Sequence, residues 1–585
     1  MAEEKVPQER LVPVENASDA YVELLNANGV DYIFINPGTD TAPIQESLAK
    51  FKAQGRRAPE TILCLHEPVA MAGAHGYFMV TDKPQVVLVH VDVGTQNVGG
   101  NLHNAQRGRA GVVFCAGRAP YTIDGDMPGA RTNYIHWIQE QFSQAGIVQG
   151  YVKWYYELAR HENLHQVVQR AFQVASTEPS GPVYLTLPRE VLLQKMAAVK
   201  VQPERTPVIA SPTADLEQLA QAARWLIQAE RPLILVSYAG RHQGAVASLV
   251  KLAETLAIPV VESRHRVNFP WNHDLHLGFA ANPYLQQADC LLIIDHDVPW
   301  IPVQGRPQPS CRVIQLDIDA LKQDIPVWGF PVDLAIQADS SKAIPALAAE
   351  IERQLTDADR ARVTARRSGI TVEHEAQRAK WRQTALDRAT KRPIAPEWAA
   401  YCLNEIVDKD TIIVSEAVTN EPALWNYLQF DAPGTYYHSL GSGLGWGLGG
   451  ALGAKLAAPS KTVICTVGDG SWVYCAPIAV YWAAEQYRSP FLTVILNNQE
   501  YYATTRAILG VAPDGFAKRT GNYPACDLPK PPLYSKVAEA MGLFARTVED
   551  PAELKGVLRQ AIEEVRRGRS ALVDICVSSG RPSPA

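Results

Sequence analysis

A short motif of glycine and acidic residues follows an apolar run in the last third of the chain. The run 462–467 leads into G-D-G-S at 468–471, and a second apolar run, after a helix-like stretch, ends in Asn497 and Asn498. Glycine lets a backbone approach a phosphate closely, and the first turn of a helix presents free N–H groups to it. Asp469 and Asn498 would add oxygen ligands of the kind that Mg²⁺ prefers. The spacing predicts a metal–diphosphate site, with an ordinary strand–turn–helix connection as the alternative.

A carboxylate and an imidazole accompany two apolar runs near the start of the chain. Glu67 follows the run 61–65, and His90 lies within the run 85–93. A partly buried carboxyl group can exchange protons near neutrality, and the unperturbed pKa of histidine lies near working pH. The alternatives are structural: an acid favoured at a helix N-terminus, and a histidine that only forms hydrogen bonds. Together the two residues predict a proton-transfer site.

Apolar runs alternate with helical patterns along most of the chain. This alternation predicts the α/β class, with three doubly wound, mainly parallel-sheet domains. The expected strands are Val30–Asn36, Thr61–Leu65, Gln85–Val93, Gly111–Ala116, Pro182–Leu187, Pro232–Ser237, Pro259–Glu262, Cys290–Asp295, Arg312–Asp317, Thr411–Val414, Thr462–Val467, Phe491–Leu496 and Ala571–Val577. The predicted boundaries are 13–195 for the first domain, 205–355 for the middle domain, 356–392 for a helical connecting arm and 393–580 for the third domain.

The bulk composition narrows the function classes. The 585 residues carry a formal net charge of −6, which argues against a nucleic-acid or anionic-membrane surface. No run of 18 apolar residues is present, so no membrane span is expected. The first 16 residues are polar and resemble no signal peptide. Nine cysteines without a C-x-x-C pair indicate reduced thiols, and we expect a cytoplasmic protein.

The motifs together resemble those of thiamine-diphosphate enzymes of the pyruvate oxidase, acetohydroxyacid synthase and benzoylformate decarboxylase group. The resemblance implies that Asp469, Asn498 and the backbone carbonyl of Glu500 hold Mg²⁺, with Asn497 as the alternative to Asn498. It also implies that Glu67 bonds the aminopyrimidine ring of thiamine diphosphate and promotes formation of its ylid. The three domains would then be the pyrimidine-binding, middle and diphosphate-binding domains of this group.

Further segments extend the resemblance. The stretch F-I-N-P-G-T, which ends at Thr39, and the stretch around His90 are similar to benzoylformate decarboxylase segments that supply a substrate hydroxyl group and a proton-transfer histidine. Segment 414–420 is similar to the one that holds the diphosphate. In segment 441–446, the likeness implies that the Ser442 carbonyl accepts a hydrogen bond from the exocyclic amine of thiamine diphosphate. It also implies that the Leu444 side chain bends this cofactor. Gly449 and Gly450 depart from the usual P-A-A.

These likenesses give the expected site residues. The catalytic residues would be Glu67, His90 and Thr39. The cofactor-binding residues would be Glu67, Glu416, Val418, Thr419, Ser442, Leu444, Asp469, Gly470, Ser471, Asn498, Glu500 and Tyr501. The candidates for substrate contact are Gln139, Trp300, Trp472 and Tyr502, and the alternative for the aromatic members is core packing.

The implied reaction is decarboxylation of a 2-oxo acid, or carboligation or C–C cleavage through an acyl-anion equivalent, as in benzoylformate decarboxylase. The alternative within the group is an acetolactate synthase-like carboligase. From another class, Gly445–Gly450 satisfies G-x-G-x-x-G and would suit an NAD-dependent dehydrogenase; a third possibility is a non-catalytic homologue. FAD is not expected. The partners would be a small 2-oxo acid or aldehyde and further copies of the chain, as a dimer or tetramer with the active site at the subunit interface.

Overall fold

The computed structural model describes residues 10–263, 265–529 and 531–581. Successive parts of the chain form three large sheets, and all neighbouring strands within these sheets are parallel. The predicted α/β class with three mainly parallel sheets is therefore confirmed. Among the described helices, none is both long and apolar enough to cross a membrane.

The first sheet is buried on both faces, as parallel sheets usually are. Its domain contains β1 (Arg10–Pro13), α1 (Ala17–Ala27), β2 (Tyr32–Ile35), α2 (Ala42–Ala53), β3 (Glu60–Leu63), α3 (Glu67–Thr81), β4 (Gln85–Val89), α4 (Val91–Asn97), α5 (Gly99–Arg107), β5 (Val112–Ala116), α6 (Ile135–Ile138), β6 (Tyr155–Glu157), α7 (Leu164–Ser176), β7 (Val183–Thr186), α8 (Arg189–Leu192) and β8 (Ala198–Val201). The strand order is β3-β2-β4-β5-β7-β6, and β1 pairs antiparallel with β8. Successive residues of β4 enter opposite cores: Val87 faces α3, whereas Leu88 packs with α1 and α7.

The middle sheet has the order β10-β9-β11-β12-β13. Its elements are α9 (Leu216–Gln228), β9 (Pro232–Val236), α10 (Gln243–Leu256), β10 (Val260–Glu262), α11 (Asn282–Leu285), β11 (Cys290–Ile294), β12 (Arg312–Asp317), β13 (Leu334–Gln337) and α12 (Ser340–Gln354). The long helix α13 (Asp357–Asp387) then leads to the third sheet. A capping box between Thr356 and Asp359 satisfies the first N–H groups of this helix.

The third sheet has the order β15-β14-β16-β17-β19-β18. Its elements are α14 (Pro396–Asn404), β14 (Thr411–Glu416), α15 (Glu421–Tyr427), β15 (Tyr436–His438), α16 (Gly447–Ala457), β16 (Thr462–Gly468), α17 (Asp469–Tyr474), α18 (Pro477–Gln486), β17 (Leu492–Asn497), α19 (Tyr502–Val511), α20 (Phe516–Thr520), α21 (Tyr534–Ala540), β18 (Phe544–Val548), α22 (Leu554–Arg566) and β19 (Ala571–Cys576).

Helix α3 of the first domain packs against α16 of the third at very short range. A Cβ atom on Gly453 would lie 1.9 Å from the carbonyl oxygen of Gly73, and one on Gly76 would lie 2.2 Å from that of Gly450. A Cβ on Gly449 would lie 2.6 Å from the Ala72 Cβ. Such contacts require glycine, because no side chain fits between two backbones at these separations. The glycines of α3 and α16, including Gly449, which departs from the family pattern, thus allow the two helices to pack this closely.

Candidate active site

Strands β16 and β17 are neighbours, and both end at the same edge of the third sheet. Asp469 follows β16 directly; its carboxylate accepts from the N–H groups of Gly470, at 2.9 Å, and Gln499, at 2.8 Å. Burial raises the pKa of Asp469 to about 6. No lysine, arginine or histidine pairs with this carboxylate within the described parts of the chain. Asp469 therefore ties α17 to the turn that follows β17 and offers a carboxylate that a bound cation would stabilise.

The two asparagines at the end of β17 have different partners. Asn497 is buried, and its amide N–H donates to Asp574 on the neighbouring strand at 2.9 Å. Asn498 is half-buried, and its amide oxygen accepts from the Glu500 N–H at 3.3 Å. Asn497 is thus engaged within the sheet, whereas Asn498 belongs to the turn that Asp469 holds.

Glu500 and Tyr501 line the far side of this turn. The Glu500 carboxylate bonds Ser579 and pairs with Arg581 at 2.6 Å, so the side chain points to the C-terminal segment and only its backbone is left for the turn. The Tyr501 ring lies over Gly470, where a Cβ would come within 2.5 Å of the ring. Tyr502 donates through its hydroxyl group to the Gly580 carbonyl at 2.6 Å. That bond anchors the C-terminal segment, and nothing indicates a substrate contact by Tyr502.

Two of the aromatic candidates for substrate contact lie in hydrophobic cores. Trp472 is 2% exposed, donates to Tyr481 at 2.9 Å and packs edge-on against Tyr534. Trp300 packs edge-on against Phe330 in the core of the middle domain. The core-packing alternative therefore replaces the expected substrate contact for both. Ser471, next to Trp472, is buried in the first turn of α17.

The segment after β14 holds the start of α16 in place. The buried Glu416 carboxylate accepts from the backbone N–H groups of Gly445, Trp446 and Gly447, at 2.7, 2.9 and 2.5 Å. Burial raises the pKa of Glu416 to about 7. The Glu416 carboxylate is thus engaged by the protein's own backbone, so only the backbone of Glu416 is left for the predicted cofactor contact. Of the next two expected residues, Val418 is exposed and Thr419 is half-buried. Val418 has a φ of +49°.

The same three hydrogen bonds argue against the dinucleotide alternative. A G-x-G-x-x-G turn binds a diphosphate through free N–H groups at a helix N-terminus. In this chain those groups at the start of α16 are occupied by Glu416. The glycines Gly449 and Gly450 that complete the pattern face α3 and Trp446. The alternative of an NAD site at Gly445–Gly450 is therefore wrong.

Segment 441–445, which carries Ser442 and Leu444, is fixed by helix α5 of the first domain. The Asn104 amide forms two hydrogen bonds with Gly443, accepting from its N–H at 2.9 Å and donating to its carbonyl at 2.8 Å. Asn101 donates to the Gly445 carbonyl at 3.2 Å. Ser442 has φ +57°, which is costly for a residue with a side chain. The hydrogen bonds of Asn104 and Asn101 maintain this strained backbone. Ser442 is exposed, and Leu444 is half-buried.

Glu67 is the first residue of α3, and Asn97 is the last residue of α4. Asn97 donates through its amide to the Glu67 carboxylate at 2.6 Å. Gly94 comes so close that a Cβ there would lie 3.5 Å from the other carboxylate oxygen. Glu67 is half-buried at the edge of the first sheet; one carboxylate oxygen is bonded, and the other accepts no hydrogen bond from the residues that the structure describes.

His90 precedes α4 and forms hydrogen bonds through both ring nitrogens. Its Nδ1 bonds the buried carboxylate of Asp40, and its Nε2 lies 2.9 Å from the amide oxygen of Gln139. Because both partners are acceptors, the charged imidazolium is favoured, and the hydrogen bond with Asp40 raises the pKa of His90. Thr39 is exposed and lines the same cleft. The structure thus brings Thr39, His90 and Gln139 together, as three of the predicted residues.

Sequence reasoning overlooked Asp40 and Asn101 and gave no role to Asn97 or Asn104. Asp40 follows Thr39 directly, so the signal was a carboxylate beside an expected site residue. Asn97 and Asn104 stand in the stretch that carries the family resemblance, but their partners are 30 and 339 positions away along the chain.

The donor atoms at the third sheet fit a hard divalent cation. A carboxylate, an amide oxygen and a backbone carbonyl are all oxygen donors, as Mg²⁺ prefers. No group of three or more His, Cys, Asp or Glu side chains is placed to hold a metal anywhere in the described residues. A metal at Asp469 would thus depend on neutral oxygens and on a ligand such as a diphosphate.

Comparisons with known proteins agree on one family. Residues 15–147, 219–347 and 417–575 match, respectively, the models for the N-terminal TPP binding domain, the central domain and the C-terminal TPP binding domain of thiamine pyrophosphate enzymes. The benzoylformate decarboxylase of Pseudomonas aeruginosa is 26% identical and aligns over 94% of this chain and 97% of its own. The large subunit of acetolactate synthase isozyme 3 of Escherichia coli is 25% identical, over 96% and 95%.

A solved structure supports the fold. The thiamine diphosphate-dependent 4-hydroxybenzoylformate decarboxylase of Rhodococcus jostii superimposes with a TM-score of 0.77. The superposition covers 97% of this chain and all of the other, at 22% sequence identity. At 22% identity, the superposition shows a common fold across all three domains.

Proposed function

We propose that this chain, which belongs to the thiamine pyrophosphate enzymes, decarboxylates a 2-oxo acid and uses His90 to deliver the proton that replaces the lost carboxyl group. The chain is an enzyme of the thiamine-pyrophosphate-dependent group of 2-oxo acid decarboxylases and carboligases. One observation supports the choice of decarboxylation within the group. His90 is bonded to a buried carboxylate and an amide oxygen, which favours an imidazolium able to donate a proton.

Thiamine diphosphate and Mg²⁺ would occupy the edge of the third sheet. Asp469, the amide oxygen of Asn498 and the carbonyl of Glu500 would hold the metal, next to Gly470 and Ser471 at the start of α17. Segment 441–445, clamped by Asn104, would support the rings through the Ser442 carbonyl and the Leu444 side chain. When bound, this cofactor supplies the nucleophilic carbon and the electron sink that loss of CO₂ requires.

Glu67 would exchange a proton with the ring system of the cofactor. Its free oxygen is available for this, because the Asn97 amide bonds the other one and fixes the carboxylate. Thr39 and Gln139 would bind the substrate beside His90. The overall balance is R–CO–COO⁻ plus one proton giving an aldehyde and CO₂, and His90 would donate that proton to the carbon atom that lost the carboxylate.

A homo-oligomer with shared active sites accounts for the exposed apolar residues. Val473, Tyr474 and Ile478 project from α17 and α18, close to Asp469. Ile138 and Phe142 project from the segment that carries Gln139. Large exposed apolar residues on both halves of a site indicate a protein partner. We infer that a second copy covers them, so that Glu67 of one subunit meets the cofactor held by Asp469 of the other.

Proton NMR of the purified enzyme with a panel of 2-oxo acids tests this function. Each acid is incubated with thiamine diphosphate and Mg²⁺ and with either one alone. We expect an aldehyde to appear only when both are present, and to carry deuterium at the former carboxyl position in D₂O. Failure of every acid to react while the cofactor is bound would contradict the proposal.

The alternative is a carboligase, and the resemblance to acetolactate synthase favours it. The same NMR experiment separates the two outcomes. An acyloin or a 2-hydroxy-2-acyl acid as the main product would assign the chain to carboligation, with His90 protonating the acceptor oxygen. A free aldehyde as the main product would assign it to simple decarboxylation.

A further inference from the structure

The cleft that contains His90 holds a second histidine that the proposed mechanism leaves unused. His136 stands on α6, three residues before Gln139, and lines the cleft together with Thr39, His90, Arg118 and Arg189. Only 6% of its surface is exposed. The cleft has a volume of only about 10 Å³, roughly enough for one oxygen atom of a ligand or one water molecule.

The hydrogen bonds of His136 define its protonation. Its Nδ1 accepts from the backbone N–H groups of Thr132, at 3.1 Å, and Asn133, at 3.3 Å. A neutral imidazole whose Nδ1 accepts must carry its hydrogen on Nε2. Burial, with the nearby charge of Arg189, lowers the pKa of His136, which keeps the ring neutral. The Nε2 atom is therefore a buried donor, and it has no hydrogen-bond partner among the described residues.

Positive charge surrounds this unused donor. Arg189 donates to the carbonyls of Gly129, at 2.5 Å, and Ala130, at 2.6 Å, and pairs with no carboxylate in the described residues. Arg118 pairs with Glu157 and lies 3.7 Å from Glu140, but its buried Nε has no hydrogen-bond partner in the described part of the chain. The one buried carboxylate of the cleft, Asp40, is already bonded to His90. A buried donor without a partner costs free energy, so the cleft is suited to an anionic acceptor that enters from outside.

We propose that the His136 Nε2–H, supported by Arg189 and Arg118, binds a carboxylate oxygen of the substrate. This inference rests on the proposed function, because it names the group of a 2-oxo acid that enters the His90 cleft. One carboxylate oxygen fits the small volume of the cleft and accepts two or more hydrogen bonds. It would also supply an ion-pair partner for Arg189, which forms none with a carboxylate among the described residues. The site selects the acid form of a substrate against its neutral ester or amide.

The rigid segment around His136 supports such a selective role. Arg131 donates to the His136 carbonyl at 2.7 Å and to Glu140 at 2.6 Å, and its guanidinium lies 5.1 Å from the Trp137 ring. These bonds fix α6, so the Nε2–H keeps its direction whether or not a ligand is present. A preorganised donor gains affinity because no ordering cost is incurred on binding.

Two variants of His136 separate the ligand-binding nitrogen from the structural one. His136→Asn keeps an acceptor near Nδ1 for the Thr132 and Asn133 N–H groups but removes the Nε2 donor. His136→Gln places an amide N–H close to the Nε2 position. Phenylglyoxylate and its methyl ester serve as probes, because they differ in charge and only slightly in shape. Binding is measured by calorimetry on the full-length protein without cofactor, so no turnover can occur.

We expect the wild-type protein to bind phenylglyoxylate at least ten times more tightly than the ester, the range of a lost charged hydrogen bond. His136→Asn should weaken binding of the acid about tenfold or more, whereas His136→Gln should stay within about threefold of the wild type. In a spectrum of protein labelled at the histidine ring nitrogens, the Nε2–H signal of His136 should shift with the acid only.

Three results would overturn the inference: equal binding of acid and ester, unchanged binding in His136→Asn, or no binding of the acid at all. Each would mean that the His136 donor is used by water alone. The outcome is independent of turnover. Aldehyde formation with unchanged binding in His136→Asn would leave the proposed function intact and remove this site. Selective binding of the acid without turnover of any acid would keep the His136 site and contradict the proposed function.

Discussion

Asp40 divides its two carboxylate oxygens between His90 and the backbone that follows it. One oxygen bonds His90 Nδ1, and the other accepts from the Val91 N–H at 3.1 Å. Val91 has φ +30°, an unusual value for a β-branched residue. Asp40 therefore fixes both the orientation of the imidazole and the strained turn that carries it, although no motif identified this aspartate.

Replacing Asp40 by asparagine should weaken proton delivery by His90. The carboxylate raises the pKa of His90, so the imidazolium persists to higher pH in the wild type than in Asp40→Asn. We expect turnover to fall about 10²-fold and the alkaline limb of its pH profile to move to lower pH. The stability that the wild type gains from this pair should be complete below the unfolded pKa of histidine and be lost as the pH rises through the folded value.

An NMR titration of His90, with the kcat profile beside it, measures both effects. Glu46→Gln is the control, because it changes an exposed carboxylate on α2 and leaves the bond between Asp40 and His90 intact. An unchanged profile in Asp40→Asn would remove this pair from the proton transfer.

Mixing two inactive variants should restore activity if the sites are shared between subunits. Glu67→Gln should lower turnover at least ~10²-fold, and Asp469→Ala should abolish metal-dependent cofactor binding. After subunit exchange, a mixed dimer with shared sites has one site with both native residues and should regain activity, up to about a quarter of the wild-type level for random pairing. If both residues of a site come from one chain, the mixture stays inactive, so turnover after refolding the mixture decides the question.

Glycine 453 should tolerate no side chain. In Gly453→Ala the new Cβ would lie 1.9 Å from the Gly73 carbonyl, and two helix backbones would have to separate. We expect a loss of about 1–3 kcal/mol or more in the free energy of unfolding. Gly556→Ala, in α22, is the matched control, because the added Cβ would meet no neighbouring atom within 4 Å. This variant should gain about 0.5–1 kcal/mol in the free energy of unfolding. Equal stability of the two variants, by urea denaturation, would contradict the close contact of α3 with α16.

Glu416 should make stability depend on pH. Its folded pKa of about 7 is higher than the ordinary glutamate value of 4.5, so the folded chain holds this proton where the unfolded chain releases it. Its contribution is complete below about pH 4.5 and is lost as the pH rises through 7. Relative to Glu416→Gln, the free energy of unfolding of the wild type should therefore fall by on the order of a few kcal/mol between pH 5 and pH 8.

Urea unfolding of the cofactor-free protein at these two pH values tests the effect of Glu416. The control is Glu217→Gln, at an exposed position on α9. Its free energy of unfolding should differ from that of the wild type by the same amount at both pH values. A flat difference for Glu416→Gln as well would show that its three backbone donors offset its burial.

The buried strands of the three sheets could be predicted because each is a continuous apolar run that ends at a turn. Besides β1 and β8, which form the small antiparallel sheet, four strands of the three large sheets were missed: β6, β13, β15 and β18. All four lie at the edge of a sheet, where one side has no partner and the sequence is mixed rather than apolar. The predicted strand Gln85–Val93 ends at Val89, because the chain leaves the sheet at His90 and turns sharply at Val91.

The site residues fall into two groups by the distance of their partners along the chain. The Asp469 turn and the segment around His90 are short motifs, so their residue types are visible in sequence. The bonds of Asn104 with Gly443, and of Glu416 with the start of α16, join distant segments and depend on the packing of α5 and α16. Local patterns carry no information about such contacts. For the same reason, Trp300 and Trp472 could not be told from pocket residues until their cores were known.

The most direct test of the account is a calorimetric titration of thiamine diphosphate into the wild type and Asp469→Ala, each with Mg²⁺ and with EDTA. Asp514→Ala, at an exposed loop position, is the control. We predict tight binding only for the wild type and the control, and only with Mg²⁺. Binding by Asp469→Ala equal to that of the wild type, or wild-type binding that ignores the metal, would contradict the assignment of this edge of the third sheet as the metal–diphosphate site.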